Sequence, residues 1–306
     1  SWDEAAEIAF ECEPGTLTQS KLEAIREIGV TRLSLGIENF NDRILEENGR
    51  AHLTPEIERV RPWIRELDFP QLNIDLIAGM VGESWDTWKE TVQKAIDYDP
   101  DSVTIYQMEL PFNTIYSKGK LRGEDGLEFA DWATKRAWHA YAIEEFEKAG
   151  FEQWSAYTML RRDRDCRFVY TEALWQGADM YGAGVSSFSH VNGVHFQNAD
   201  KFGPYLERME SGKSTIARAF VPSDEERYRR ELILQLKRGR VVRGYFEEKF
   251  GRDILADFDA VWGHWRDEGL AVPGEQGIEL TDSGLLRVDQ LLPELYEDQY
   301  RGARYT

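Results

Sequence analysis

Through the first half of the chain, short apolar runs with polar residues at every second position alternate with stretches whose apolar residues return at three- and four-residue spacing. The first periodicity belongs to strands and the second to helices. Together they predict strands over 7–12, 32–38, 71–78 and 102–109, and helices over 18–29, 41–48, 54–67, 84–98 and 128–149. A strand–helix repeat builds a parallel sheet, because each helix returns the chain to the starting edge for the next strand. Thr18, Asn41 and Thr54 stand where helices should be capped, and Gly29 and Gly150 where they should stop.

The strands are amphipathic in an informative way. Glu7, Ala9 and Glu11 share one face of the first, Ser34, Gly36 and Glu38 one face of the second, and Asn73, Asp75 and Ile77 one face of the third. The opposite faces carry Phe10, Leu33, Leu35, Ile37, Leu72, Ile74 and Leu76. Parallel strands covered by helices on both sides read as continuous apolar runs, and these do not. Two arrangements fit: a barrel with helices outside and a polar lumen, or an open sheet with one solvated face. The barrel is preferred, because it gathers the acids around a shared interior.

Past residue 150 the pattern changes. A link over 151–202 holds the charged run Arg161-Arg162-Asp163-Arg164-Asp165 and glycines from Gly177 to Gly184. Helices are then expected over 203–211, 223–238, 243–250 and 254–269, followed by a short strand at 277–280 and a last helix through 295. This reads as an α/β domain over 1–160 and a mostly helical, winged-helix-like domain over 161–306.

Charge and cysteine content narrow the function classes. A formal net charge of -19 disfavours general affinity for nucleic acid or anionic membranes. No apolar run reaches membrane-spanning length and no signal-peptide layout opens the chain, so a cytoplasmic location is expected. The two cysteines, Cys12 and Cys166, form no metal-binding spacing, and no metal ligands are assigned here. The basic run Lys237-Arg238-Gly239-Arg240 with Arg243 reads as a helix C-terminus in the first instance and as an anion-docking patch in the second. His190 and His195 read as structural, and His52 as a surface side chain.

Glu-x-x-Pro-Gly-Thr at 11–16, Arg32-Leu33-Ser34-Leu35-Gly36-Ile37-Glu38-Asn39-Phe40, Gly49-Arg50-Ala51-His52 and Asn73-Ile74-Asp75-Leu76-Ile77-Ala78-Gly79 occur in an order that resembles radical S-adenosylmethionine (SAM) enzymes related to oxygen-independent coproporphyrinogen III oxidase. Trp175-Gln176-Gly177, Gly182-Ala183-Gly184-Val185-Ser186-Ser187 and Gly277-Ile278-Glu279-Leu280-Thr281 resemble that family's accessory domain. The resemblance implies a partial (β/α)6 radical SAM barrel, here without its first two βα units. It also implies SAM as cofactor, with Glu11, Glu38, Arg50 and Asp75 lining its site. Family members closest to the porphyrin enzyme carry Gln where this chain has Glu38. The family's CxxxCxxC, which ligates a [4Fe-4S] cluster, has no counterpart in these residues, so the ligands are expected upstream and the chain alone is expected not to cleave SAM.

On the fourth strand, Gln107 and Glu109 are read as further lumen groups for adenine or substrate. The implied function is oxidation, or methyl or methylene transfer, on a bulky small molecule such as a tetrapyrrole, with a flavodoxin- or ferredoxin-type electron donor. A non-catalytic heme-binding or heme-chaperone role is the alternative, since part of the family resembles heme trafficking factors.

Overall fold

The computed structural model describes residues 2–109 and 129–302, in two units: one running to Arg167 and one spanning Phe168–Arg301. Strands β1 (Ala9–Cys12), β2 (Arg32–Glu38), β3 (Gln71–Ala78) and β4 (Ser102–Gln107) lie side by side in chain order and are parallel. Between them run helices α1 (Gln19–Glu27), α2 (Asp42–Glu47), α3 (Thr54–Leu67) and α4 (Trp85–Tyr98), and α5 (Trp132–Lys148) follows β4. The α/β repeat is therefore as the hydrophobic pattern predicted.

Each helix begins where a side chain can satisfy a free backbone N–H. Thr18 accepts from the Lys21 amide, Asn41 from Ile44 and Ser84 from Thr87. Thr54 is not the cap expected of it. The α3 start is closed by Glu56, which accepts from the Leu53 amide at 3.0 Å, while the Thr54 amide and hydroxyl both donate to Asp42.

The apolar sheet face carries Leu33, Leu35, Ile37, Ile74, Leu76, Val103 and Ile105, all fully buried in one core with Leu22, Ile57, Val60, Trp88 and Phe146 from the helices. Burying each such side chain stabilises the unit by roughly 1.5–3 kcal/mol, which fixes the strand register. A one-residue slip would turn this set outward and the carboxylates inward.

The 151–202 link is corrected by the structure, because it is built rather than linking. Strands β5 (Phe151–Gln153) and β6 (Thr158–Arg161) extend the sheet, with β6 antiparallel to β4, so the sheet is mixed at that edge. These strands are too short to show periodicity. The charged run beyond them is tied down, with Arg164 meeting Asp101 at 2.5 Å and Asp99 at 3.1 Å, and Arg161 pairing with Asp99.

The second unit carries more sheet than expected. Helix α6 (Val169–Trp175) is followed by a three-stranded sheet of β7 (Phe188–Val191), β8 (Val194–Asn198) and β9 (Ile216–Phe220). Helices α7 (Phe202–Glu210), α8 (Asp224–Leu236) and α9 (Arg243–Phe250) match the expected positions, whereas 254–269 is split at Phe258 into Ile254–Asp257 and Asp259–Asp267. The Gly277–Leu280 strand pairs on either side with Arg240–Val242 and Ala271–Gly274 as a small wing. Gly182 marks a close approach, since a Cβ there would lie 2.1 Å from the Phe188 carbonyl oxygen. Cations of the basic run are engaged within the unit: Arg238 faces Glu172 at 3.3 Å and Arg243 faces Asp253 at 2.9 Å. No helix among the described residues is long and apolar enough to cross a membrane.

At the end of β3, Gly79 has φ +91°, and a Cβ there would lie 2.8 Å from the Lys135 side chain, whose Nζ is anchored on the Met108 carbonyl at 2.7 Å. Gly79→Ala is expected to lower unfolding free energy by about 2 kcal/mol, from left-handed backbone strain and displacement of Lys135. Urea denaturation measures this; an unchanged midpoint would show that the turn relaxes freely.

Candidate functional site

The parallel register places Ser34, Asn73 and Ser102 abreast, and Gly36, Asp75 and Thr104 abreast one step further along. All point to the polar face and are wired together. Asn73 is the hub: its amide nitrogen donates to Ser34 Oγ and Asp75 Oδ1 at 3.0 Å each, and its oxygen accepts from Ser102 at 2.9 Å and Thr104 at 3.3 Å. Ser34 in turn donates to Asp75 Oδ2 at 3.2 Å. Burial pushes the Asp75 carboxyl up to about 6, and the charge of Glu11 adds to the rise, against the bonds from Asn73 and Ser34 and the charge of Arg32. Among the described residues, Asp75 is thus a carboxylate without an ion pair of its own.

Arg32 is committed elsewhere. Its Nε lies 2.6 Å from Glu7, both side chains buried, and its far end is 3.9 Å from Glu11. The Glu11 side chain is 70% exposed, so its carboxylate is free to turn toward a ligand.

Glu38 breaks the strand pattern. The β2–β3 register shifts between Gly36 and Glu38, and Glu38 takes φ +67°, a conformation that costs a non-glycine residue on the order of 1 kcal/mol. The kink brings its carboxylate over Gly36, where a Cβ would lie 3.7 Å from Glu38 Oε1. Gly36 is the cross-strand partner of Asp75, so the two acids share one face around the space a side chain would have filled. Glu38 pairs with Arg50, and its carboxyl is raised by burial, with Arg50 and His52 opposing. His52 is buried rather than on the surface: Nε2 lies 3.0 Å from the Ile37 carbonyl and Nδ1 3.4 Å from Glu13, bracing the kinked strand end.

Gln107 and Glu109 do not join this face, which corrects the expectation for them. Strand alternation puts Gln107 on the helix side, where its Nε2 lies 2.9 Å from Nδ1 of His139 in α5, a fully buried imidazole pushed down to about 4 by desolvation. Glu109 lies beyond the end of β4 and is exposed. The β4 side chain on the polar face is Tyr106, half exposed, stacked on Tyr157 with ring centres 6.4 Å apart, and pushed up to about 12 by burial and then by Asp75 and Glu11.

Glu83 escaped the sequence reading. It accepts from the Gly79 amide at 2.6 Å and from Asn39 at 2.7 Å, joining the loop after β3 to the loop after β2; burial raises it to about 7. An acid just ahead of a helix start gives only a weak signal, because it reads as an ordinary N-terminal charge.

This donor set can be tested against the two groups the resemblance implies. Acceptors at Asp75 and Glu38 with a guanidinium at Arg50 match the hydroxyls, amino group and carboxylate of SAM. The cluster does not fit: the two thiols are raised to about 12 at Cys12 and about 11 at Cys166, chiefly by burial, and no group of metal ligands occurs among the described residues.

Because the Asp75 pKa is raised on folding, its favourable contribution is complete below about pH 3.8 and is lost as pH rises through about 6. Asp75→Asn mimics the protonated form. At pH 7.5 it is expected to stabilise the ligand-free protein by about 2 kcal/mol, with the gain vanishing toward pH 4. Thermal melts of both proteins across this range check it, and a destabilised variant at pH 7.5 would contradict it.

Residues 3–95 match the family model described as the Radical SAM superfamily. The chain is 25% identical over 293 residues to the heme chaperone HemW of Bacillus subtilis, an alignment covering 92% of this chain and 73% of that protein. It is 24% identical over 319 residues to the oxygen-independent coproporphyrinogen III oxidase of Pseudomonas aeruginosa, covering 97% and 69%. The solved coproporphyrinogen III oxidase HemN of Escherichia coli superposes with a TM-score of 0.80 over 96% of this chain and 70% of that one, at 21% identity, a likeness of fold. The superfamily match implies SAM and a [4Fe-4S] cluster as the family's cofactors. Its first strands and helices thus carry the Radical SAM superfamily match, and over most of its length the chain is similar to HemN- and HemW-like proteins, with an α/β fold like that of HemN.

Proposed function

We propose that this chain is the SAM-binding body of a radical SAM protein that acts on a tetrapyrrole-like substrate. The observation that carries the reading is the buried, cation-free Asp75 carboxylate beside Gly36, with the Glu38–Arg50 pair at the same strand ends. On this reading the sheet is an arc of a (β/α)6 barrel and its polar face is the lumen.

Asp75 accepts from the ribose hydroxyls or the amino group of SAM, adding to the bonds it already takes from Asn73 and Ser34. Arg50 forks onto the methionyl carboxylate, and Glu38 holds Arg50 in place while adding a negative charge near the sulfonium. Glu11 swings in from the surface. Asn73 and Ser34 position Asp75 without touching ligand. A [4Fe-4S] cluster would supply the electron for chemistry on bound SAM, and Cys12 and Cys166 would not be its ligands.

The substrate class rests on the relatives, whose names include both a coproporphyrinogen III oxidase and a heme chaperone. Oxidative chemistry on a tetrapyrrole is the first reading. The match to HemW over 92% of the chain supports the second, stoichiometric heme binding without turnover.

Titration calorimetry with SAM tests the site. Asp75→Ala and Arg50→Ala are each expected to weaken binding at least tenfold, about 1.4 kcal/mol, whereas Gln107→Ala should stay within twofold of the parent. Unchanged affinity in both of the first two variants would remove this face from the SAM site. In the protein with its cluster, Asp75→Ala should leave the cluster's visible absorbance intact while SAM affinity falls.

A further inference from the structure

Within the second unit, α8, the paired strands β8 and β9 and the C-terminal segment line an open cleft of about 640 Å³. Its walls are apolar and partly aromatic, from Leu174, Phe220, Ile233, Leu234, Tyr296 and Tyr300, and His195 adds an imidazole. A volume of this size with few polar groups is the usual form of a small-molecule site.

Four charged side chains reach it, and three are occupied. Arg229 lies 2.5 Å from Glu225 and donates to the Leu295 carbonyl at 2.6 Å. Glu226 accepts from the Ser223 amide at 2.7 Å and from the Tyr300 hydroxyl, and Glu297 accepts from Gln299 at 3.1 Å. Arg230 has neither a hydrogen bond nor an ion pair among the described residues, although it is largely buried. Removal from water disfavours its charge, with only the more distant Glu231 in compensation. It also acts on the adjacent pair His190 and His195, tilted rings with centres 4.3 Å apart, whose imidazoles are lowered by burial and, in part, by Arg230 itself. With imidazoles alongside, no anion among the described residues bonds this guanidinium, and an arriving carboxylate would find a partly buried, forked donor.

We propose that this cleft binds an apolar small molecule bearing a carboxylate, with the body against the aromatic wall and the carboxylate on Arg230. The ligand body is either a ring system or an acyl chain; both present the same chemistry. The site lies wholly within the second unit and does not depend on the SAM reading.

Fluorescence titration of the full chain with pyrenebutyrate and with its neutral alcohol, pyrenebutanol, tests this without SAM. The acid is expected to bind at least tenfold more tightly than the alcohol. Arg230→Gln should erase that ratio while leaving alcohol binding within threefold. Phe220→Ser, at a half-exposed position where folding is not at stake, should weaken both probes at least fivefold. Displacement by dodecanoate would assign the site to acyl carboxylates, and displacement by protoporphyrin IX to ring carboxylates. Equal affinity for acid and alcohol, a ratio that survives Arg230→Gln, or displacement by neither competitor would overturn the proposal.

Discussion

A carboxylate removed from water with no cation in contact is unstable in isolation, and the first unit is organised around one such group. Asp75 sits mid-strand on β3, where the parallel register puts the Ser34–Asn73–Ser102 row one step back and side-chain-free Gly36 and Thr104 on its two flanks. The bonds from Asn73 and Ser34 hold the ionised form partway, and burial still lifts its pKa to about 6. Arg32, the nearest cation in the sheet, is held by Glu7 instead. What remains is a carboxylate fixed in place by neutral donors, an arrangement suited to a ligand rich in donors.

That arrangement depends on the sheet having two unlike faces. The greasy face locks the register through the helices, and the same register lines up the polar residues on the other side. Backbone strain at the site lies at the Glu38 kink, where His52 and Asn39 brace the loop and Arg50 closes over the acid. The second unit follows a different logic, with two small sheets and short helices lining an open apolar cleft that Arg230 reaches without an ion pair among the described residues.

Much of the first unit was legible in the sequence because period-two and period-3.6 patterns were long and clean there; β2 and β3 came out at their full extents. Alternation assigned Glu38 and Asp75 to one face, but it hid the register shift between Gly36 and Glu38 that carries the Glu38 carboxylate over Gly36. The same rule failed at Gln107, one residue off phase: Ser102, Thr104 and Tyr106 hold the polar face, so Gln107 must turn to the helices and His139. Short elements were lost for lack of signal, as with β5, β6 and the β7–β9 sheet, whose strands run only three to five residues. Burial of His52 and Glu83 could not be read locally, since each is buried by residues distant in sequence, Ile37 and Glu13 for one, Asn39 for the other.

The most direct probe of the central claim is the titration of the Asp75 carboxyl itself, followed by carbon-13 NMR with and without SAM. The account predicts a midpoint near 6 in the free protein, displaced to distinctly lower pH when SAM donates to the ionised form. A midpoint at the ordinary aspartate value in the free protein, or one that SAM leaves unmoved, would contradict it.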